Sequence, residues 1–294
     1  MNIQQLEYIV AVDQHRHFAR AAKHCGVSQP TLSMMIQKLE DEIGVEIFDR
    51  SRTPVGVNKI GEMIITQARV VLYNIKQFRE IADSSRESLQ GDLEMSIIPT
   101  VAPYLLLKLF GEFRRRLPSL RCKVSEMKTS VIIEKLKSAE IELAIVATPL
   151  SDPDILEVPL YYERFLAYIS PSDELYSKEF INASELDFSR MWILEEGHCF
   201  RDQAIAVCKL PPRPTGEIME GSSLSTLVQM VGAGIGVTLI PEMAAEVELR
   251  SAPVVLHQLP EPRPKRTIGL VWRRSNPLAD RYAGLAEGLR VAFA

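Results

Sequence analysis

No apolar run in this sequence approaches the roughly 20 residues needed to cross a bilayer, so no membrane-spanning segment is expected. The opening stretch MNIQQLEYIV lacks a basic region followed by an apolar one, so no export signal is expected either. Cysteine is scarce: four residues in 294, with no paired short spacings, do not make a secreted disulfide framework. The expected compartment is the reducing cytoplasm, where a disulfide is more readily transient than structural. Positive charge is not in excess. A net charge of −4 and a pI near 5.9 argue against attraction of the whole molecule to DNA or anionic membranes, and leave open only a local basic face. Five histidines and four cysteines offer no pairing at zinc-site spacing, and no nucleophile elbow or triad is present. No metal or cofactor is therefore expected, and an enzyme is not the preferred reading. Internal repeats and low-complexity tracts are also missing.

What is present suits two or three folded units with sizeable cores: 46% hydrophobic and 24% charged residues over 294 positions. Ile3 to Gln14 carries Leu6, Ile9 and Val10 at helical spacing, and Phe18 to His24 continues the pattern. CGVSQPT then interrupts it, with Gly26 suited to end a helix, Ser28 to cap one and Pro30 to sit in the first turn of the next. Leu32, Ile36, Leu39 and Ile43 share one face of that next helix. Two short helices around a glycine-containing turn form the helix-turn-helix pattern. GVEIFDRSRTPVGVNKIG reads as a small hairpin, with Val45 and Ile47 alternating and Arg50 and Arg52 near its tip: a wing. From Asn58, which suits an N-cap, a long helix is expected to about Ser88. Ile64, Val71 and Phe78 fall on one seam position of a heptad, and Ala68, Ile75 and Ala82 on the other. A dimerising linker is preferred over a core helix, because the seam is narrow and the other faces are polar.

Beyond Leu89 the pattern alternates strands and helices. LEMSII, RCKVSEM, IELAIVA, FLAYIS, MWIL, GEIME, GVTLIP and RTIGLVW read as strands, with helices near Pro103–Arg116, Val131–Ser138, Leu224–Val231 and Leu278–Val291. This is an α/β region of mostly parallel sheet in two lobes, whose ligands are expected outside the carboxyl ends of strands. The glycines of GAGIGVTLIP follow a helix and precede a strand, the reverse of the order that seats a dinucleotide phosphate, so they read as a helix end.

Two sites stand out. On the second helix of the helix-turn-helix, Ser28, Gln29, Thr31, Ser33, Met34, Gln37 and Lys38 are left for the outer face, with Pro30 in its first turn. Polar residues there suit base edges and Met34 a thymine methyl, while Arg20, Lys38, Arg50 and Arg52 suit phosphates. The charge of Met1 to Asn58 does not favour this over a helical interaction domain: six Lys and Arg stand against seven Asp and Glu. Placement is what favours it.

The second is EEGHCFRDQAIAVCKL, where Cys199 follows a strand and begins a helix that ends near Cys208. A helix N-terminus with His198 and Arg201 nearby favours the thiolate, the species that oxidants attack. In a helix, nine steps of 1.5 Å put the two Cα atoms about 13 Å apart, whereas a disulfide needs roughly 4.4–6.8 Å. Two unrelated packing cysteines and a redox pair both fit this spacing, and so does a catalytic thiol. Cys25 and Cys122 read as inert, small and apolar.

Residues FARAA, SQPTLS and IQKLEDEIGVEIFDR, followed by the long helix and the two-lobed α/β region, resemble the LysR-type transcriptional regulators. MNIQQLEYIVAVDQHRHFARAA, IPTVAPYLL, LEEGHCFRDQA, PRPKRTIGLVWR and the Cys199/Cys208 spacing are similar to the OxyR branch of that type, which senses hydrogen peroxide. The resemblance covers essentially the whole chain. It implies an N-terminal all-α winged helix-turn-helix (1–58), a linker and dimerisation helix (59–90) and an α/β, two-lobed periplasmic-binding-protein-like regulatory domain (91–294). Lobe I would be about 91–161 and 267–294, and lobe II about 162–266. It also implies a homodimer or homotetramer on promoter DNA, RNA polymerase as a partner, and control of oxidative-stress genes. Peroxide would oxidise Cys199 to a sulfenic acid, Cys208 would resolve it to a disulfide, and cellular thiol reductants would reverse it. The peroxide pocket carries over as Thr100, Thr129, His198, Asp202 and Arg266. Two other readings stay open: a regulator answering a small metabolite in the cleft near Thr100, and a thiol peroxidase using Cys199.

Overall fold

The computed structural model describes residues 1–82, 89–178, 181–182, 185–186, 188–208, 219–250 and 254–293. The expected last turns of the linker helix (83–88) and the start of GEIME (216–218) lie outside the described residues. Two compact units emerge, one of Met1–Glu87 with Lys137–Glu140 and one of Ser88–Leu136 with Ile141–Ala294.

In the first unit α1 (Ile3–His15) begins on a reciprocal cap. Asn2 Oδ1 accepts from Gln5 N at 2.9 Å and Gln5 Oε1 from Asn2 N at 2.8 Å, satisfying two of the donors a helix start leaves open. Helix α2 (Phe18–His24) is followed by α3 (Gln29–Ile43), which Ser28 caps by accepting from Thr31 N at 3.3 Å. Gly44, at φ 70°, ends α3 in the left-handed conformation. The wing pairs β1 (Phe48–Asp49) with β2 (Gly56–Val57).

The alternation of Val45 and Ile47 does not mark a strand. The N–H groups of Ile47 and Phe48 donate to Glu40 Oε1 at 2.8 and 3.2 Å, so a buried carboxylate takes the place of a partner strand. Helix α4 (Lys59–Ala82) starts where Asn58 Oδ1 accepts from Gly61 N at 2.7 Å. A Cβ on Gly61 would stand 2.4 Å from the carbonyl oxygen of Ile47, so the backbone of α4 meets the base of the wing directly. Gly61→Ala is therefore expected to cost about 1–3 kcal/mol through overpacking, measurable as a lowered denaturant midpoint.

Ile9, Val12, Leu32, Ile36, Leu39 and Ile47 form the buried centre of this unit, and α4 contributes Ile65 and Ala68 to it. Part of the heptad is used within the unit itself. Ala68 is 3% exposed and Ile64 packs against the same core, so their faces are used within the chain's own unit. Val71 and Phe78 are exposed, at 36% and 73%, Ile75 is half-buried, and the side chain of Ala82 is not among those described.

The second unit carries β3 (Gly91–Ile97), α5 (Ala102–Arg116), β4 (Leu120–Glu126), α6 (Thr129–Lys137), β5 (Leu143–Thr148) and β6 (Ile155–Ile169). After these come β7 (Met191–Leu194), α7 (Cys199–Val207), β8 (Met219–Gly221), α8 (Leu224–Gly232), β9 (Val237–Pro241) and α9 (Ala245–Glu248). β10 (Val255–Gln258), β11 (Lys265–Arg273) and α10 (Ala279–Phe293) complete it. The strands run in the order β4-β3-β5-β11-β6-β9-β7-β8, with β10 on β6.

Parallel pairing is confined to β3 with β4 and β5, and to β7 with β8 and β9. β6 and β11 pair antiparallel with each other and with their other neighbours, so the sheet is mixed rather than mostly parallel. The reason is connectivity: β6 and β11 are the two crossings between the lobes and run side by side in opposite directions. One core, centred on Ile97, Leu105, Ile145 and Leu270, lies on one side of these crossings. Another, centred on Tyr168, Val228, Leu239 and Ile240, lies on the other. Among the described residues no helix is long and apolar enough to cross a membrane. Gly232 closes α8 and β9 follows, as the order of the GAGIGVTLIP glycines indicated.

Candidate functional site

Cys199 is the first residue of α7, and Cys208 caps its far end. Both are free thiols, Cys199 half-buried and Cys208 buried. The two packing environments differ. Cys199 packs against the core of the first lobe, whereas Cys208 belongs to the core of the second, with its Sγ 4.0 Å from Met191 Sδ. Burial pushes the Cys208 thiol up to about 12, so it holds its proton in this conformation.

The turn before α7 is fixed from below. Lys128 Nζ donates to Glu195 Oε1 at 2.8 Å and to the Glu196 carbonyl at 3.0 Å, and Gly197 adopts φ 91° beside the Lys128 stem. Lys128 immediately precedes Thr129, the first residue of α6. His198 is 5% exposed. Burial, and then the Lys128 charge, hold its imidazole below the ordinary 6.5, with Glu195 opposing them. A histidine depressed in the folded state contributes stability that is complete above its unfolded value and is lost as pH falls through that value. Reduced protein should therefore lose stability below pH 6.5, and His198→Asn should flatten that limb in denaturant titrations across pH.

Arg266 lies on β11 opposite Glu163 of β6, at the crossing between the lobes. Its guanidinium pairs with Glu163 at 2.6 Å, the two side chains being 1% and 4% exposed. It also donates to Thr100 Oγ1 at 3.0 Å and to the Thr100 carbonyl at 3.3 Å, and lies 5.0 Å over the Phe200 ring. Phe200 is the second residue of α7, so Arg266 ties Thr100 to the Cys199 turn. Thr129 Oγ1, His198 Nε2 and Gln203 Oε1 are among the buried polar atoms that have no hydrogen-bond partner within the described residues. Asp202, also expected in the pocket from sequence, differs from the others in exposure. It is exposed on the outer side of the first turn of α7. Sequence reasoning missed Glu163, Lys128 and Gln203. Only Gln203 left a signal, standing one helical turn after Cys199.

In the other candidate site, Ser28, Gln29, Pro30, Thr31, Met34, Gln37 and Lys38 are all exposed on α3, Ser33 is half-buried, and Arg20 is exposed on α2. Among the described residues Arg20 and Lys38 make no ion pair. Arg52 pairs with Asp49 at 2.8 Å on the surface, an interaction worth little. Arg50 is not a free cation: it pairs with Glu40 at 2.7 Å, whose side chain is 4% exposed.

Residues 3–62 match the model of the bacterial regulatory helix-turn-helix proteins of the lysR family, and residues 86–293 match that of the LysR substrate binding domain. The chain therefore belongs to the LysR family of transcriptional regulators, DNA-binding proteins and not enzymes, which sets aside the thiol-peroxidase reading. Within that family it is similar to the OxyR hydrogen-peroxide-inducible activators. It is 39% identical to the DNA-binding transcriptional dual regulator OxyR of Escherichia coli (strain K12) over 290 residues, 99% of this chain and 95% of that protein. A full-length OxyR variant from Pseudomonas aeruginosa matches with a TM-score of 0.84 at 35% identity, covering 99% of this chain and 95% of the other. An H2O2-bound OxyR mutant from Corynebacterium glutamicum matches with a TM-score of 0.68 at 30% identity, covering 99% and 92%.

Proposed function

We propose that this regulator senses hydrogen peroxide through Cys199 and records the signal as a Cys199–Cys208 disulfide. The observation that carries the reading is the placement of two free cysteines at opposite ends of one nine-residue helix, the first half-buried and next in the chain to His198, whose Nε2 is unpartnered among the described residues, and the second buried. Peroxide both donates and accepts hydrogen bonds, so Thr129 Oγ1, His198 Nε2 and Gln203 Oε1 offer the complementary groups, with Arg266 holding Thr100 alongside.

The Cys199 thiolate attacks one peroxide oxygen. An S–O bond forms, the O–O bond breaks, and the departing hydroxide takes a proton to leave as water. Cys208 then attacks the sulfenic sulfur, an S–S bond replaces S–O, and a second water leaves. Helical geometry keeps the two Cα atoms about 13 Å apart, so the second step requires α7 to unwind. The conformational change is thereby coupled to the chemistry. For the switch to act on DNA, each redox form must favour a different arrangement of regulatory domains. The exposed Val71 and Phe78 of α4 are the surface offered to a second copy in a homodimer, with two dimers making a homotetramer on promoter DNA. RNA polymerase and cellular thiol reductants complete the partners, and the output is control of oxidative-stress genes.

The test is titration of the reduced protein with peroxide, followed by non-reducing peptide mapping. About one equivalent should yield the Cys199–Cys208 bridged peptide. An unreactive Cys199 would overturn the reading and leave the cleft near Thr100 as the place to seek a metabolite.

A further inference from the structure

Arg50 has the look of a phosphate contact in sequence, yet its surroundings give it another task. The carboxylate of Glu40 is buried and fully engaged: Oε1 accepts from the N–H groups of Ile47 and Phe48, and Oε2 from Arg50 Nη2 at 2.7 Å. A guanidinium so close to a buried carboxylate presents little net charge to a phosphate. Its plane is held further by Phe18 of α2, whose ring lies 5.2 Å beneath it and meets the ring of Phe48 edge-on at 5.9 Å. The remaining fork is turned to α3, where Arg50 Nη1 donates to Ser33 Oγ at 3.2 Å. Arg50 thus bridges α2, α3 and the wing.

The consequence falls on Ser33. A serine hydroxyl has one proton and two lone pairs, and an N–H aimed at the oxygen occupies acceptor capacity while directing the O–H elsewhere. Among the described residues no acceptor receives that proton. Ser33 lies on α3 one turn from Gln29 and Gln37, both exposed on the face that would enter a major groove. We propose that Arg50 is a positioning residue that presents the Ser33 hydroxyl to DNA as a hydrogen-bond donor, so that at the base edge it reaches in the major groove Ser33 favours an acceptor atom over an amino group. Purine N7, guanine O6 and thymine O4 are such acceptors; the cytosine and adenine amino groups are not.

The test uses the full-length protein and selection from a pool of randomised double-stranded DNA, with affinities for selected sites then measured across salt concentrations. Ser33→Ala removes the donor. Arg50→Lys keeps a charge for Glu40, so the fold is retained, but lacks the planar fork that reaches Glu40 and Ser33 together. Both variants should relax preference at the same base-pair position by about tenfold. The double variant should relax it no further, because the two side chains act as one unit. The slope of affinity against salt should stay unchanged in each. If Arg50→Lys keeps the original preference while Arg50→Met weakens every sequence equally and lowers the slope by about one, Arg50 is a phosphate contact and the proposal is wrong. An unchanged preference in Ser33→Ala also overturns it, independently of how any Arg50 variant folds.

Discussion

Arg266→Ala should destabilise the regulatory unit by about 3–5 kcal/mol, the range for removing one partner of a buried ion pair. The reason is what remains. Glu163 is 4% exposed and accepts from Arg266 and from the N–H of Met243, so deleting the guanidinium leaves a carboxylate buried without its counter-charge. The same change frees Thr100 and removes the cation over Phe200, loosening the first turn of α7. Equilibrium denaturation in urea, monitored through Trp192 and Trp272 of this unit, would report the loss. Replacing both members, as in a Glu163→Leu and Arg266→Met double variant, should recover most of the stability, because no charge is then stranded. A single variant within about 0.5 kcal/mol of the parent would show that the pair contributes nothing net. The double variant separates two roles of Arg266: it restores stability and leaves peroxide sensing impaired if the guanidinium also serves the pocket.

How much of this was legible in the sequence differs by element. The helix-turn-helix announced itself because local chemistry decides it: Ser28 and Asn58, read as caps, each accept from a backbone N–H near a helix start, whereas the cap at Asn2 and the left-handed end at Gly44 were not read. The wing was harder. Its N-terminal side looks like a strand, yet the bonding of Ile47 and Phe48 to Glu40 is a tertiary fact that no periodicity records. Likewise, a heptad in α4 cannot say which of its apolar residues face the chain's own core, and Ala68 does while Phe78 does not. In the regulatory unit the buried strands were plain, but β6 was expected only from Phe165 onward. Pro159 and the charged Glu157 and Glu163 mask its first half, which pairs with β11 instead of burying a continuous apolar face. The cysteine pair was visible as spacing. Its surroundings were not, because Glu163 and Lys128 approach from distant positions in the chain.

Cys199→Ser should abolish sulfenic acid, disulfide and any redox dependence of the DNA footprint, while Cys208→Ser should keep the sulfenic acid and lose the disulfide and, with it, the redox-dependent footprint. The asymmetry follows from the two environments. Cys199 starts α7, and its half-buried sulfur remains within reach of peroxide. Cys208 is buried against Met191, and its thiol is pushed up to about 12 by burial, so in the folded helix almost none of it is thiolate at neutral pH. Attack by Cys208 on a sulfenic Cys199 must therefore wait until α7 opens, which both closes the distance and exposes the thiol to water. Oxidation and resolution should separate in time: sulfenic acid appears first, and the bridge follows at a rate set by helix opening. In Cys208→Ser a sulfenic-specific probe should label Cys199 and continue to do so, whereas in Cys199→Ser neither label nor bridge should form. A bridge that forms as fast as the sulfenic acid would mean that α7 is already open in the reduced protein. A disulfide in Cys199→Ser involving Cys25 or Cys122 would mean that the switch lies elsewhere, against the raised thiols of both residues.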